Sequence, residues 1–181
     1  RSSVVNVASI SANPFGEVRS QCGTLLRSAV RQIFQEVTVP PIKVDMPPNP
    51  EYGELTSSFC FEMAKQLRMS PLDIAKKIAE ETEAQKAFFT LIEMVKAEKP
   101  GYVNFYADWA KLSSVTLKSA RALDTEYGYV KTDKPEKVIV EHTSANPNHP
   151  IHIGPARNAV LGDSLARILN ARGHTVSRHF Y

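Results

Sequence analysis

Residues 137–181 read KVIVEHTSANPNHPIHIGPARNAVLGDSLARILNARGHTVSRHFY, and the order of apolar, loop-forming and helix-forming stretches within them decides the fold. Lys137-Val138-Ile139-Val140 contains a short continuous apolar run of the kind buried on both faces of a parallel sheet. A loop rich in Pro, Asn and His follows, and then a helix expected over residues 155–172. Proline suits its first turn, Ala159, Val160, Leu165, Ile168 and Leu169 supply a core face, and Gly173 sits where a C-cap glycine belongs. Thr175-Val176 begins a second strand, so the segment is one βαβ unit of a doubly wound α/β fold. A loop at the carboxyl end of a parallel strand, opening onto a helix N-terminus, is where such folds take anionic ligands. Here Gly154 lets a phosphate approach the backbone N–H groups, and His152 offers a ring N–H two residues earlier. A nucleotide fits both the geometry and the charge.

Upstream, the pattern changes to α+β. Asn13-Pro14 announces a helix that carries Val18, Cys22, Leu25, Leu26, Ala29, Val30, Ile33 and Phe34 at three- and four-residue steps. Ile42-Lys43-Val44 reads as a short strand, and the proline-rich stretch 46–53 as a loop. Apolar positions recur with helical spacing from Leu55 through Leu67, Ser70-Pro71 caps a further helix, and 101–106 (GYVNFY) has the composition of a strand. Phe88 to Val95 is too short to type by periodicity, whereas Trp109 to Leu123 can form one more helix. The expected organisation is an excluded, processed end over 1–12, an α+β domain over 13–123, a polar linker over 124–136 and the βαβ start of a second domain over 137–181.

The charge is distributed in the same two parts. Residues 1–136 balance 17 basic against 17 acidic side chains, whereas 137–181 carry five basic residues against Glu141 and Asp163, together with all five histidines. No stretch runs eighteen apolar residues without a charge or proline, which excludes a membrane-spanning helix. Two cysteines, Cys22 and Cys60, are too few for a disulfide scaffold and fit buried thiols in a reducing compartment. His142, His149 and His152 lack an accompanying Cys or close acidic ligand, so no structural metal is expected.

Three stretches of this sequence carry a resemblance: VIVEHTSANPNHPIHIGPARNAVLGD at 138–163, NPEYGELTSSFCFEMAKQLRMSPLDIAKKIAE at 49–80 and GYVNFYAD at 101–108. The first closely resembles the opening of the catalytic domain of the arginyl-tRNA synthetases, class I enzymes with a His-x-Gly-His signature. The other two look like that family's additional N-terminal domain, in the same order. The resemblance implies a Rossmann-like catalytic domain, incomplete in this chain, and a reaction in which ATP with Mg²⁺ activates L-arginine for transfer to tRNA(Arg). It implies that Glu141, Ser144 and Asn146 hold arginine, a carboxylate suiting the guanidinium and an amide the amino acid's backbone end. His152, Gly154, Pro155 and Asn158 fall at the ATP site, with His152 the catalytic residue, and Asn104 and Phe105 fall on the surface for the tRNA D-loop.

Pro155 stands where the family has its second signature histidine, which removes one donor from the transferring phosphoryl group. These 181 residues also end before a complete nucleotide fold, so alone they are expected to be inactive. A monomer in the cytoplasm is expected, with an organelle the alternative if residues 1–12 are the remnant of a transit peptide. Two other readings stay open: a tRNA-binding paralogue that has lost catalysis, which Pro155 favours, and a different class I nucleotidyl-transfer enzyme, which the match over the N-terminal half disfavours.

Overall fold

The computed structural model describes residues 10–35, 37–86, 91–145, 148, 150 and 152–180. The chain divides into two compact units, Arg1–Ala122 and Leu123–Tyr181.

In the first unit three helices, α1 (Pro14–Ile33), α2 (Cys60–Leu67) and α3 (Pro71–Gln85), accompany an antiparallel sheet of β1 (Leu55–Ser57), β2 (Ile92–Glu98) and β3 (Tyr102–Ala107) in the order β1-β3-β2. Helix α4 (Trp109–Leu123) follows. The caps written in the sequence are made: Asn13 Oδ1 accepts from the Gly16 N–H at 3.0 Å, and Ser70 Oγ accepts from the Asp73 N–H at 3.1 Å. The apolar stripe of α1 is buried, and it joins Ile74 and Ile78 of α3 with Val103 and Phe105 of β3 in one core. Burying this stripe is what turns a marginal isolated helix into a stable one.

Two expectations are corrected here. Residues 42–44 are not a strand; only Asp45 pairs, in an isolated bridge with Thr56. The stretch 55–67 does not form one helix either, because Leu55, Thr56 and Ser57 are drawn into register with Phe105, Asn104 and Val103 before α2 begins at Cys60. Ser11, expected in a processed end, is packed into the first unit. Ser11 is buried, its N–H donates to Ser119 Oγ of α4 at 2.9 Å, and its hydroxyl donates to Glu17. The untyped stretch 88–95 lies outside the described residues at 88–90 and belongs to β2 from Ile92.

The second unit pairs β4 (Lys137–Glu141) in parallel with β5 (Thr175–His179), joined by α5 (Ile153–Ala171). Its register runs from Lys137↔Thr175 to Glu141↔His179. The polar stretch ahead of it is tied down: the Thr132 N–H donates to the Arg172 carbonyl at 2.8 Å and the Glu136 N–H to His174 Nδ1 at 3.2 Å. Gly173 takes φ +89°, the left-handed conformation that ends the helix.

The burial of α5 and β4 differs from expectation. Val160, Leu165 and Ile168 are exposed, at 70%, 49% and 60%, and the buried line is Gly162 and Ala166, flanked by half-buried Ala159 and Leu169. That line keeps the three- and four-residue spacing of a helix face, but small side chains form it, so the helix lies close on the strands. Of the β4 run only Val140 is buried, and Ile139 is 65% exposed.

Candidate functional site

The carboxyl end of β4 ends in a tight reversal. The ladder is extended one residue by the His142 N–H, which donates to the His179 carbonyl at 3.0 Å. Thr143 then adopts φ +67°. A β-branched residue in that left-handed region costs on the order of 1–3 kcal/mol and persists only when its surroundings dictate it. The reversal brings Ser144 Oγ back to donate to Glu141 Oε1 at 2.9 Å, and His142 Nδ1 is hydrogen-bonded to Thr143 Oγ1 at 2.7 Å. Glu141 is exposed, and Ser144 is half-buried. Two residues expected to share a pocket are thus joined, while the third, Asn146, lies outside the described residues.

At the same end of the unit stands the start of α5, which begins at Ile153, two residues earlier than the sequence suggests. His152 is its N-cap: Nδ1 accepts the Gly154 N–H at 3.2 Å. With Nδ1 as the acceptor, Nε2 is the ring nitrogen left to donate. The ring folds over Gly154, and a Cβ there would meet His152 Cε1 at 3.0 Å. Pro155 sits in the first turn, where an N–H would find no helical acceptor, so the proline leaves the helix intact. Asn158 is exposed one turn further on. Among the described residues no group of three His, Cys, Asp or Glu side chains could hold a metal.

The first unit holds a second candidate. A cavity of about 260 Å³ opens beside β3, lined by Asn104, Thr56, Pro47, Pro48, Tyr52, Tyr102, Glu98 and Lys99. Asn104 is 2% exposed, and its Oδ1 accepts from Thr56 Oγ1 at 2.6 Å, which leaves the amide N–H groups as its donors. Tyr52 and Tyr102 are 41% and 38% exposed, and the Tyr102 ring meets Phe61 edge-on with centroids 5.4 Å apart. Tyr52 is placed by a short 3₁₀ turn, Pro50–Tyr52, capped by Asn49 and closed by Gly53 at φ +86°. A Cβ on Gly53 would stand 2.5 Å from the Phe105 carbonyl oxygen, so only glycine lets this loop approach β3. On the same face of β3, Lys96 Nζ lies 5.5 Å from the centre of the Tyr106 ring. Burial first, then the carboxylates of Glu98 and Glu54, push the Tyr106 hydroxyl pKa above its ordinary value.

Phe105 is the correction at this surface. It is 1% exposed and pairs with Leu55 and Val95 on the core face, so its ring offers no face to a base. Strand alternation is the reason: neighbours in a strand point to opposite faces, so Asn104 and Phe105 cannot share a binding surface. The same alternation puts Tyr102, Asn104 and Tyr106 together. Alternation, a property of the sequence, places Tyr102 on the face of Asn104, whereas the position of Tyr52 depends on the turn.

Known proteins match both units. Residues 20–107 match the family model of the arginyl tRNA synthetase N terminal domain, and residues 116–181 match that of the class I (R) tRNA synthetase catalytic domain. The arginine–tRNA ligase of Methanothermobacter thermautotrophicus is 43% identical over 146 residues, covering 80% of this chain and 24% of the relative. That of Pyrococcus furiosus is 39% identical over 165 residues, covering 91% of this chain and 25% of the relative. Among solved structures, the Thermus thermophilus arginyl-tRNA synthetase aligns with a TM-score of 0.50 at 27% identity, over 89% of this chain and 24% of that one. The Plasmodium falciparum enzyme shares the fold, with a TM-score of 0.66 at 14% identity over 90% of this chain and 30% of that one. The chain thus spans about a quarter of the length of the curated relatives it matches. Carrying an N-terminal domain and the opening of a class I catalytic domain in the family's order, it belongs to the arginyl-tRNA synthetase family.

Proposed function

We propose that this chain forms the arginine- and ATP-binding opening, and the D-loop-binding domain, of an enzyme that charges tRNA(Arg) with arginine. The observation that carries the reading is the β4–α5 junction, where the Glu141–Ser144 pair and the His152-capped start of α5 occur at one end of a parallel βαβ unit. Glu141 pairs with the arginine guanidinium, with Ser144 orienting its carboxylate and Asn146 holding the backbone end of the amino acid. The backbone at Gly154 and the Nε2–H of His152 receive the α-phosphate of ATP, with Asn158 one turn along and Mg²⁺ travelling as part of the nucleotide substrate. An arginine carboxylate oxygen attacks the α-phosphorus, the bond to the bridging oxygen of the β-phosphate breaks, and pyrophosphate leaves. A hydroxyl of the terminal ribose then attacks the arginyl carbonyl, and AMP departs.

In the first unit the cavity beside Asn104 suits a base turned out of a tRNA loop. The Asn104 amide donates to its edge, and Tyr102 and Tyr52 supply the stacking that Phe105 cannot. The test is ATP–pyrophosphate exchange by protein from the complete open reading frame with tRNA(Arg) present. Exchange dependent on arginine, and lost by more than a hundredfold in Glu141→Gln, supports the reading. Exchange driven equally by a neutral amino acid overturns it.

A further inference from the structure

The site residues at the end of β4 and those at the start of α5 stand on separate elements, and the fold must hold the two in register. Side-chain packing supplies little of that hold, because the buried face of α5 is Gly162 and Ala166. At Gly162 the helix comes close to the strand end. A Cβ built there would lie 2.2 Å from His142 Cβ, 2.5 Å from Cγ and 3.0 Å from Cδ2, so the imidazole stem occupies the space that any other residue at 162 would need. His142 is the residue between Glu141 and the left-handed Thr143, and its Nδ1 is bonded to Thr143 Oγ1. The next residue of the helix reinforces the contact: Asp163 Oδ2 accepts from Arg167 Nε at 2.7 Å, and its Oδ1 lies 3.3 Å from Arg178 Nη2 of β5. Arg178 is the register partner of Val140, one residue from Glu141.

We propose that His142 and Gly162 are a positioning pair, which seats α5 against the end of β4 and holds the strained Thr143 turn, so that arginine on Glu141 and Ser144 is aligned with ATP on His152 and Gly154. This rests on the arginine-activating function proposed above. Neither residue touches the reacting atoms. Displacing the helix leaves each half-site whole and spoils their alignment, and a misplacement of about 1 Å is enough to cost roughly a hundredfold in rate. The pair therefore acts on the rate of the chemical step more than on the binding of either substrate.

The experiment is single-turnover release of pyrophosphate from arginine and ATP by protein from the complete open reading frame, with tRNA(Arg) present. The rate constant is read separately from the burst amplitude, because a folding defect lowers the amplitude and a misalignment lowers the rate constant. Gly162→Ala is expected to slow the rate constant about a hundredfold while the KM values for arginine and ATP move less than about threefold. His142→Gly removes the clashing Cβ, so the double variant His142→Gly/Gly162→Ala recovers at least about tenfold over Gly162→Ala alone. Ala166→Gly, a buried change on the same helix face, is expected to cost stability and amplitude without changing the rate constant. An unchanged rate constant in Gly162→Ala, or losses that simply multiply in the double variant, overturns the pairing while leaving the function standing. The absence of any arginine-dependent burst in the wild-type protein overturns the function, and this role with it.

Discussion

Replacing Pro155 by histidine should speed arginine activation and slightly loosen the helix. The proline occupies the third residue of α5, where its missing N–H has no helical acceptor, so the substitution breaks no backbone hydrogen bond. What is lost is the fixed φ of proline, which stabilises the native chain by about 0.4–1 kcal/mol through the unfolded state. For a protein of this size that corresponds to roughly 1–4 °C in Tm. What is gained is one charge-assisted donor beside the phosphates that His152 and Gly154 are proposed to receive, about 1.5–3 kcal/mol. At about 1.4 kcal/mol per decade this is a ten- to hundredfold increase, provided that the donor acts only in the transition state. The assay is single-turnover adenylate formation beside a thermal melt. A rate constant that stays flat or falls while the protein stays folded would show that no phosphate oxygen lies within reach of residue 155, and would remove the proposed ATP pose.

Three further outcomes are expected. Tyr102→Ala and Asn104→Ala should each raise the KM for tRNA(Arg) about tenfold, with kcat at saturating tRNA unchanged, since stacking on one base contributes about 1–3 kcal/mol and a base edge left without its donor costs about 1–3 kcal/mol; unchanged tRNA affinity in both would dismiss the cavity as the RNA site. Gly53→Ala, which combines φ +86° with a 2.5 Å approach to the Phe105 oxygen, should cost on the order of 1–3 kcal/mol of stability in denaturant titration and weaken tRNA binding with it. Cys22 and Cys60 should resist thiol reagents at pH 8 in the native protein and react on unfolding, because burial raises the Cys22 thiol pKa far above its usual range and pushes that of Cys60 up to about 12. Rapid native labelling of either would contradict their burial.

Much of the fold is legible because local signals agree with the tertiary structure. Asn13-Pro14 and Ser70-Pro71 mark helix starts that the structure caps as written, and the 109–123 helix lies where its composition puts it. The failures share a cause. Leu55–Ser57 is a strand only because β3, nearly fifty residues away, pairs with it, and no local period records that partner. On α5 the branched side chains suggested a core face, yet the strands meet Gly162 and Ala166, since close approach selects small residues over apolar ones. Glu141 and His152 are proposed from the family motif, whereas the approach of Gly162 to His142 is visible only in the structure. Strand alternation, itself a sequence property, sets buried Phe105 on the face opposite Asn104.

The decisive measurement is charging of tRNA(Arg) by protein from the complete open reading frame, followed with each amino acid in turn. Formation of an alkali-labile ester with arginine alone, abolished in Glu141→Gln, is the expected result. Tight binding of tRNA(Arg) with no arginyl ester, by the protein as found and by Pro155→His alike, would contradict the assignment and leave a tRNA-binding relative without catalysis.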